Sequence, residues 1–385
     1  TGEIDVVVNE CTILNESATP PFPLDDDIDT DELTRMKWRY LDIRRPEMLA
    51  NLKLRHTVTQ AMRRALDERG FLEIETPILC KSTPEGARDY LVPSRISKGA
   101  FYALPQSPQI YKQLLMIGGM EKYFQIARCF RDEDLRADRQ PEFTQIDIEM
   151  SFVDEEDVFA LVEGLMREVF RKTKDIELGE FVRIPYAECM ARYGSDKPDT
   201  RFGMELHCLN DVFADTGFKI FRSVLDVKGE VDCIVVENAA DRYSRKQLDQ
   251  LQEYVKVYGA KALAFLKYAE GAFSGSIAKV ISDEEKEALK NKLNITENDL
   301  ILFVADQRKT AQSALGALRL RLGKELGLID EQRYDFVWVT DFPMFEYSEE
   351  EGRYVAAHHP FTAPKPEDVD KLMDDQANCC SRAYD

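Results

Sequence analysis

The sequence lacks the long apolar runs and the metal-ligand spacings that mark several large classes of protein. No apolar run in its 385 residues approaches the roughly 18 residues of a membrane span, and no basic-then-apolar signal is indicated. The eight cysteines include no Cys-x-x-Cys pair, and the four histidines are scattered apart from His358 and His359. We therefore expect a cytoplasmic protein with reduced thiols, no membrane segment and no zinc pattern.

Basic residues are too few for the chain as a whole to attract a polyanion. Lys and Arg number 51 against 71 Asp and Glu, which gives a formal charge of -20. Such a charge repels nucleic acid, so any nucleic-acid contact must be local. With 44% hydrophobic and 32% charged residues the mix is that of an ordinary globular protein, and the length indicates two or three domains.

Two strand-like runs flank a charged turn in the first half of the chain. Residues 123–129 are apolar and aromatic, and residues 143–152 alternate. Side chains alternate along a strand, which predicts one packed face and one polar face. The predicted packed face holds Ile146, Ile148, Met150 and Phe152, and the polar face holds Gln145, Asp147, Glu149 and Ser151. From the pattern alone, a half-buried structural hairpin is the alternative to a site.

Arg131 is the residue of the turn with the clearest chemical potential. Its guanidinium is a planar, permanently charged fork that matches phosphate or carboxylate oxygens and can stabilise growing negative charge. The alternative is a weak surface ion pair with Asp132 or Asp134.

Helical patterns surround the hairpin. Residues 46–70 predict an amphipathic helix, followed by a strand at 71–75. Ser107 and Pro108 begin a second helix, with the serine as its cap, and residues 154–173 predict a third with Asp154 as cap. The bent, charged loop 82–89 lies between them, as a substrate lid or as a solvated turn. In the second helix Gln109 and Lys112 are three apart and share a face.

The run Phe-Gln-Ile-Ala-Arg-Cys-Phe-Arg-Asp-Glu to Gln-Ile-Asp-Ile-Glu, residues 124–149, resembles motif 2 of the class II aminoacyl-tRNA synthetases and is similar to that of the bacterial aspartyl-tRNA synthetases. The helix and strand of 46–77 resemble motif 1, the dimer interface of that class. Gln-Ser-Pro-Gln-Ile-Tyr-Lys, residues 106–112, and the stretch 186–198 resemble the same family. The resemblance implies an α+β fold in which helices flank an antiparallel sheet.

The resemblance also implies a domain order. Residues 1–24 resemble the last strand of an OB anticodon-binding domain, and 25–46 form a hinge. The first part of the catalytic core occupies 47–200, an inserted α+β GAD domain occupies 201–330, and the core resumes at 331–385. The predicted helices of the insertion are 244–258, 283–294 and 308–326. Most of the OB domain and the glycine-rich motif 3 of the family are not found, so we expect a chain truncated at both ends.

In the family, Arg131 would be the catalytic residue and would bind the α-phosphate of ATP. Glu133 would accept from the adenine amino group, and Phe143 would stack under the base. The implied ATP-binding residues are Arg131, Asp132, Glu133, Gln140 and Phe143. The implied aspartate-binding residues are Glu85, Gln109, Lys112, Arg131, Asp147 and His358. The implied contacts to the tRNA acceptor end are Arg136 and Arg139.

These implications together predict an aspartate-tRNA ligase that uses ATP and Mg2+, with L-aspartate and tRNA(Asp) as substrates. A homodimer through residues 47–77 is expected, and no residue of this chain is assigned as a metal ligand. Glu149 is left between a supporting and a structural role. Two alternatives stay open: a catalytically incomplete dimerisation or RNA-binding module, favoured by the absent motif 3, and an asparagine synthetase of the same fold. Charging of tRNA(Asn) as well stays open.

Overall fold

The computed structural model describes residues 4, 6–83, 85–135, 139–359 and 361–385. The chain forms two compact units, Thr1–Glu177 and Leu178–Asp385. Within the described residues, no helix combines the length and the apolar character needed to cross a membrane.

The first unit contains an antiparallel hairpin and its supporting helices. The helices are α1 (Glu32–Lys37), α2 (Arg39–Asp42), α3 (Pro46–Asp67), α4 (Gln109–Ile117) and α5 (Glu155–Lys174). The strands are β1 (Leu72–Glu73), β2 (Leu91–Pro93), β3 (Phe101–Ala103), β4 (Lys122–Phe130) and β5 (Glu142–Met150). Strands β4 and β5 pair antiparallel, β1 joins β4 in parallel, and β2 and β3 form a separate antiparallel pair.

One face of the β4–β5 hairpin packs against α3 and α5, as the alternation predicted. Leu66 of α3, Leu165 of α5 and Phe124 of β4 share one buried cluster. The apolar side chains of β5 that pack against it are Ile146, Ile148 and Met150. Burying side chains of this size stabilises the fold by about 1.5–3 kcal/mol each. Phe152 was expected on the same face, but it is 95% exposed, because β5 ends at Met150 and Phe152 takes a φ of 60° that leaves the pleat.

The predicted helices of this unit are confirmed, with differences at their ends. Helix α3 begins at Pro46, and Gly70 beyond its end has a φ of 78°. Helix α5 has a capping box formed by Asp154 and Asp157. The strand expected at 71–75 shortens to Leu72–Glu73.

The strand implied within residues 1–24 is not seen in the described part of that segment. Residues 4 and 6–24 lie in neither a helix nor a strand. Val6 and Val7 are 84% and 82% exposed. An isolated apolar segment gains nothing by extending unless a neighbouring strand accepts its backbone hydrogen bonds.

The second unit contains a larger sheet. Its helices are α6 (Tyr186–Tyr193), α7 (Lys219–Leu225), α8 (Arg245–Lys256), α9 (Asp283–Leu293), α10 (Arg308–Glu325) and α11 (Lys371–Asp374), with 3-10 turns at Pro366–Asp368 and Gln376–Asn378. Its strands are β6 (Val182–Pro185), β7 (Leu206–Cys208), β8 (Glu230–Val236), β9 (Ala264–Ala269), β10 (Ala272–Gly275), β11 (Asp299–Asp306), β12 (Val337–Thr340), β13 (Phe345–Ser348) and β14 (Arg353–Ala356).

Five of these strands form an antiparallel sheet in the order β10-β9-β11-β8-β7. Helices α8 and α10 bury one face of it, and α7 and α9 bury the other. The three helices predicted at 244–258, 283–294 and 308–326 are present as α8, α9 and α10, whereas the assignment of 201–330 as an inserted GAD domain stays a prediction. Strands β6 and β12, which lie before and after this sheet in sequence, pair in parallel. The chain therefore leaves and re-enters the rest of the unit at adjacent strands.

A buried arginine holds the segment that precedes β7. Arg319 of α10 is 1% exposed and donates to four backbone carbonyl oxygens at 2.8–3.0 Å. Those oxygens belong to Asp199, Phe202, Gly203 and Met204. The guanidinium carbon also lies 4.0 Å from the ring centre of Phe202. One side chain thus fixes the path of residues 199–204.

Candidate active site

A buried lysine of α4 meets the carboxylates of β5. Lys112 Nζ donates to Asp147 Oδ1 at 2.8 Å and lies 3.4 Å from Glu149 Oε2. Lys112 and Asp147 are both buried. Burying charges is costly unless they are closely paired. Asp147 Oδ2 meets no hydrogen-bond partner of good geometry among the residues that the structure describes, although the Tyr123 hydroxyl lies close enough to this carboxylate to lower its pKa. This buried oxygen can therefore accept from a further group.

Burial of Asp147 shifts the pKa of its carboxyl group. Burial raises the pKa of Asp147 above its ordinary value, and the Lys112 ammonium opposes part of that rise. Tyr123 of the neighbouring strand is fully buried, and burial raises the pKa of its hydroxyl as well. That hydroxyl donates to Gln125 Oε1 at 2.9 Å. The polar face of the hairpin therefore combines a close ion pair with neutral hydrogen-bonding groups.

The charges of four predicted site residues act on the buried thiol of Cys129. Burial raises the pKa of this thiol to about 11. The charges of Asp147 and Glu85 raise it further, whereas those of Arg131 and Lys112 lower it. All four side chains therefore lie within electrostatic range of one sulfur atom. The structure brings together residues that are up to 62 positions apart, from Glu85 to Asp147.

Arg131 lies over the ring of Phe143. The guanidinium carbon is 5.1 Å from the ring centre. The backbone N–H of Arg131 donates to the carbonyl of Pro141 at 3.0 Å, next to the Cys129–Phe143 pair at the end of the hairpin. A cation over an aromatic face contributes about 0.5–1 kcal/mol at an exposed site. The Arg131 guanidinium and the Phe143 ring are thus neighbours.

The turn between β4 and β5 carries the remaining predicted nucleotide and tRNA residues. Arg139 Nη1 lies 3.6 Å from Glu133 Oε2, a loose ion pair between half-exposed groups. Gln140 is exposed. Arg136, the other predicted tRNA contact, lies outside the described residues.

The loop that precedes β2 points its acidic residue at the start of α4. Glu85 Oε2 accepts from Ser107 Oγ at 2.6 Å, and Glu85 Oε1 accepts from Thr83 Oγ1 at 2.7 Å. Ser107 was expected to cap α4. The N-cap residue is Pro108 instead, no side chain of the described residues caps the helix, and the Ser107 hydroxyl donates to the Glu85 carboxylate.

The sequence reasoning missed Gln106. This side chain is 1% exposed and hydrogen-bonds to Ala87 and Asp89 of the same loop. From the sequence, a glutamine flanked by Pro105 and Ser107-Pro108 looks like part of a turn. Its burial and its hydrogen-bond partners are seen only in the structure.

For two predicted site residues, no contact among the described residues supports the predicted role. Gln109 is the first residue of α4 and is partly buried. His358 belongs to the second unit, where its ring lies edge-on to Phe342 at 5.7 Å. Its Nε2 is buried and has no hydrogen-bond partner among the described residues. The roles of both residues stay predictions.

A second acidic cluster lies in the second unit. Within the described part of the chain, Cys208, Glu230 and Asp232 are close enough to hold a common cation. Arg308 Nε already lies 2.7 Å from Glu230 Oε1, and Gln312 donates to Glu230 Oε2 at 3.4 Å. Burial and the Glu230 charge raise the pKa of Asp232 to about 7. The cluster is therefore partly neutralised by Arg308 and by protonation.

The sequence matches a known protein family. The family model described as tRNA synthetases class II (D, K and N) matches residues 31–385. The chain therefore belongs to the class II tRNA synthetases of this group. The resemblance drawn from residues 124–149 is confirmed.

Curated proteins that are similar to this chain are aspartate-tRNA ligases. The aspartate-tRNA(Asp/Asn) ligase of Anoxybacillus flavithermus is 57% identical over 100% of this chain and 65% of its own length. The aspartate-tRNA ligases of Macrococcus caseolyticus and Staphylococcus epidermidis are 56% and 54% identical, over 100% of this chain and 65% and 66% of their lengths. The chain thus spans just under two thirds of these relatives.

Proposed function

We propose that the chain is part of an aspartate-tRNA ligase, which activates L-aspartate with ATP and transfers it to tRNA(Asp). The observation that carries the proposal is the buried Lys112–Asp147 pair, since Asp147 lies on the strand that also carries Phe143, the ring under Arg131. It offers a cation, a carboxylate oxygen that needs a partner, and a place for a nucleotide. The names of the relatives support aspartate as the amino acid. A cytoplasmic location, where tRNA is charged, accompanies the proposal.

The ion pair supplies both partners that aspartate needs. Asp147 Oδ2 would accept from the substrate ammonium, and Lys112 would donate to the side-chain carboxylate. An asparagine amide would leave the buried Lys112 poorly paired, which disfavours it. Glu85 would reach the ammonium, and Gln109 would lie near the amino end. His358 is proposed as a further contact to the amino acid.

The end of the hairpin would hold ATP. The base would stack on Phe143 with its amino group on Glu133, and Arg131 would move from the ring face to the α-phosphate. Asp132 and Gln140 complete the proposed contacts. The α-carboxylate oxygen of aspartate would then attack the α-phosphorus, and the bond to pyrophosphate would break. No general base is needed because the carboxylate is already ionised.

The reaction class uses Mg2+ with ATP, but the residues described do not make a dedicated metal site. Mg2+ usually keeps several waters and binds substrate phosphates with one or two protein carboxylates. Around Arg131, no three ligand-type side chains converge among the described residues. We therefore route no step through the metal and assign charge stabilisation on the phosphate to Arg131.

The second step and the assembly follow from the same proposal. The terminal ribose hydroxyl of tRNA would attack the aspartyl carbonyl carbon, and AMP would leave. Arg136 and Arg139 are proposed to contact the acceptor end. A homodimer through residues 47–77 is supported by α3, where Leu49 and Leu52 are 41% and 48% exposed and, three residues apart, lie on the same side of the helix.

Aspartate-dependent ATP–pyrophosphate exchange tests the function, with protein from the complete reading frame. Lys112→Met should lower kcat/KM for aspartate by about 100-fold, or ~2.7 kcal/mol, while KM for ATP changes by less than about threefold. Lys98→Met, at an exposed lysine of the same unit, is the matched control and should behave as the wild type.

Two outcomes would contradict the proposal. Equal losses for aspartate and ATP in Lys112→Met would remove Lys112 from the amino-acid site. A wild-type protein that lacks aspartate-dependent exchange would favour the dimerisation or RNA-binding alternative.

A further inference from the structure

The loop that carries Glu85 is anchored by the side-chain amide of Gln106. Gln106 Nε2 donates to the carbonyl of Ala87 at 2.8 Å and to Asp89 Oδ1 at 2.6 Å. Gln106 Oε1 accepts from the backbone N–H of Ala87 at 3.1 Å. One side chain thus satisfies both backbone groups of Ala87, as a neighbouring strand would. At 1% exposure, these bonds are shielded from water.

The same loop is tied to the site at two further points. Glu85 accepts from Ser107, the residue after Gln106. On the other side, the backbone N–H of Asp132 donates to the carbonyl of Arg88 at 3.0 Å, in an isolated β-bridge. The loop therefore connects the start of α4 to the turn that carries Arg131.

The backbone that precedes Gln106 is fixed by hydrogen bonds to neighbouring segments. The N–H of Phe130, at the end of β4, donates to the carbonyl of Pro105 at 2.9 Å. The N–H of Leu104 donates to the carbonyl of Tyr90 at 2.9 Å. Gln106 therefore reaches the loop from a backbone that is fixed to the hairpin.

We propose that Gln106 is the positioning residue that holds the loop so that Glu85 reaches the amino group of the substrate. The inference rests on the proposed aspartate activation and adds how Glu85 is presented. Gln106 does not touch the substrate, because its donor and acceptor are occupied by Ala87 and Asp89. Loss of its bonds releases the loop but leaves Lys112 and Asp147 in place on α4 and β5. Aspartate binding should therefore suffer more than ATP binding.

Two variants separate the hydrogen bonds from the volume of the side chain. Gln106→Met keeps the length and removes the amide, and Gln106→Glu keeps the shape but removes the donor and places a carboxylate beside Asp89. Gln113→Met, at an exposed residue of α4, is the matched control. The readouts are hydrogen exchange of residues 85–89 and the KM values for aspartate and ATP in pyrophosphate exchange.

Both Gln106 variants should accelerate exchange of the loop amides by about tenfold or more and raise KM for aspartate by about tenfold, with KM for ATP within about twofold. The control should match the wild type in every readout. If Gln106→Met fails to fold, Asp89→Asn, which weakens one of the three bonds, should give a smaller change in the same direction.

Loop exchange that stays at the wild-type rate in both Gln106 variants would overturn the inference. An equal rise in KM for both substrates would also overturn it, since that pattern reports general damage to the site. A wild-type protein without aspartate-dependent exchange would instead refute the proposed function, and faster loop exchange in the variants would then support the anchor alone.

Discussion

Replacing Arg319 with methionine should destabilise the second unit by about 3–5 kcal/mol. Methionine fills much of the arginine volume but donates nothing, so the four carbonyl oxygens of residues 199–204 lose their partner inside the protein. Hydrogen bonds to charged groups contribute about 1.5–3 kcal/mol each, but relaxation and water entry reduce the sum. The expected loss is that of breaking a buried, charged interaction.

The chain offers a direct reporter of this change. It contains two tryptophans, and Trp338 is largely buried in β12 of the second unit. In a Trp38→Phe background, urea unfolding followed by tryptophan fluorescence reports the second unit. The matched control is Arg321→Met, on the same helix, where the arginine is 30% exposed and pairs with Glu325 at 2.7 Å. That change should cost no more than about 1 kcal/mol. Equal losses for the two variants would refute the argument that the four carbonyl bonds matter.

Three further predictions follow from the described contacts. The pKa of Asp232 is raised from 3.8 to about 7, so the folded state binds a proton more tightly and the free energy of unfolding should fall as pH rises from about 4 to about 7. Asp232→Asn should flatten that dependence, on the order of 1.4 kcal/mol per pKa unit, in urea unfolding at pH 5 and pH 8, whereas the exposed Asp241→Asn should leave it unchanged. Leu52→Asp on α3 should shift the mass measured by light scattering from dimer to monomer. Leu33→Asp, at a leucine of α1 that is 78% exposed, is the control and should leave the mass unchanged. A dimer that survives Leu52→Asp contradicts the proposed interface. Gly316→Ala should lower the unfolding midpoint sharply, because a Cβ there would lie 2.5 Å from the carbonyl oxygen of Gly194. Gly327→Ala is the control: this glycine has open space around it but a φ of 67°, so the change should lower the free energy of unfolding by only about 1 kcal/mol. A larger loss at Gly327 than at Gly316 would contradict the steric argument.

The sequence predicts the hairpin well because its alternation is a local property. The apolar side chains of β5 face the helices, and Asp147 faces the site, as period two requires. Phe152 fails because the end of a strand depends on the turn that follows, and a positive φ cannot be read from an apolar residue.

The charged site residues could be proposed because their motif is distinctive, but the contacts that they make with one another could not. Lys112 and Asp147 were both assigned to the substrate, and the structure pairs them with each other. Ser107 carries the pattern of a helix cap, but its hydroxyl donates to Glu85, which is 22 positions earlier in the chain. Gln106 was passed over because its partners, Ala87 and Asp89, have no sequence signal at all. Interactions between distant segments are set by tertiary packing, which no local pattern contains.

The parallel pairing of β6 with β12 has a consequence for the order of folding. The two strands are separated by about 150 residues, and closing a flexible loop of that length costs roughly 4 kcal/mol of chain entropy. If the five-stranded sheet forms first, its own ends come together and most of that cost is met before β6 meets β12. We expect pulsed hydrogen exchange during refolding to protect β8 and β11 before β12. Folding of the five-stranded sheet would then bring β6 and β12 close to each other before they pair.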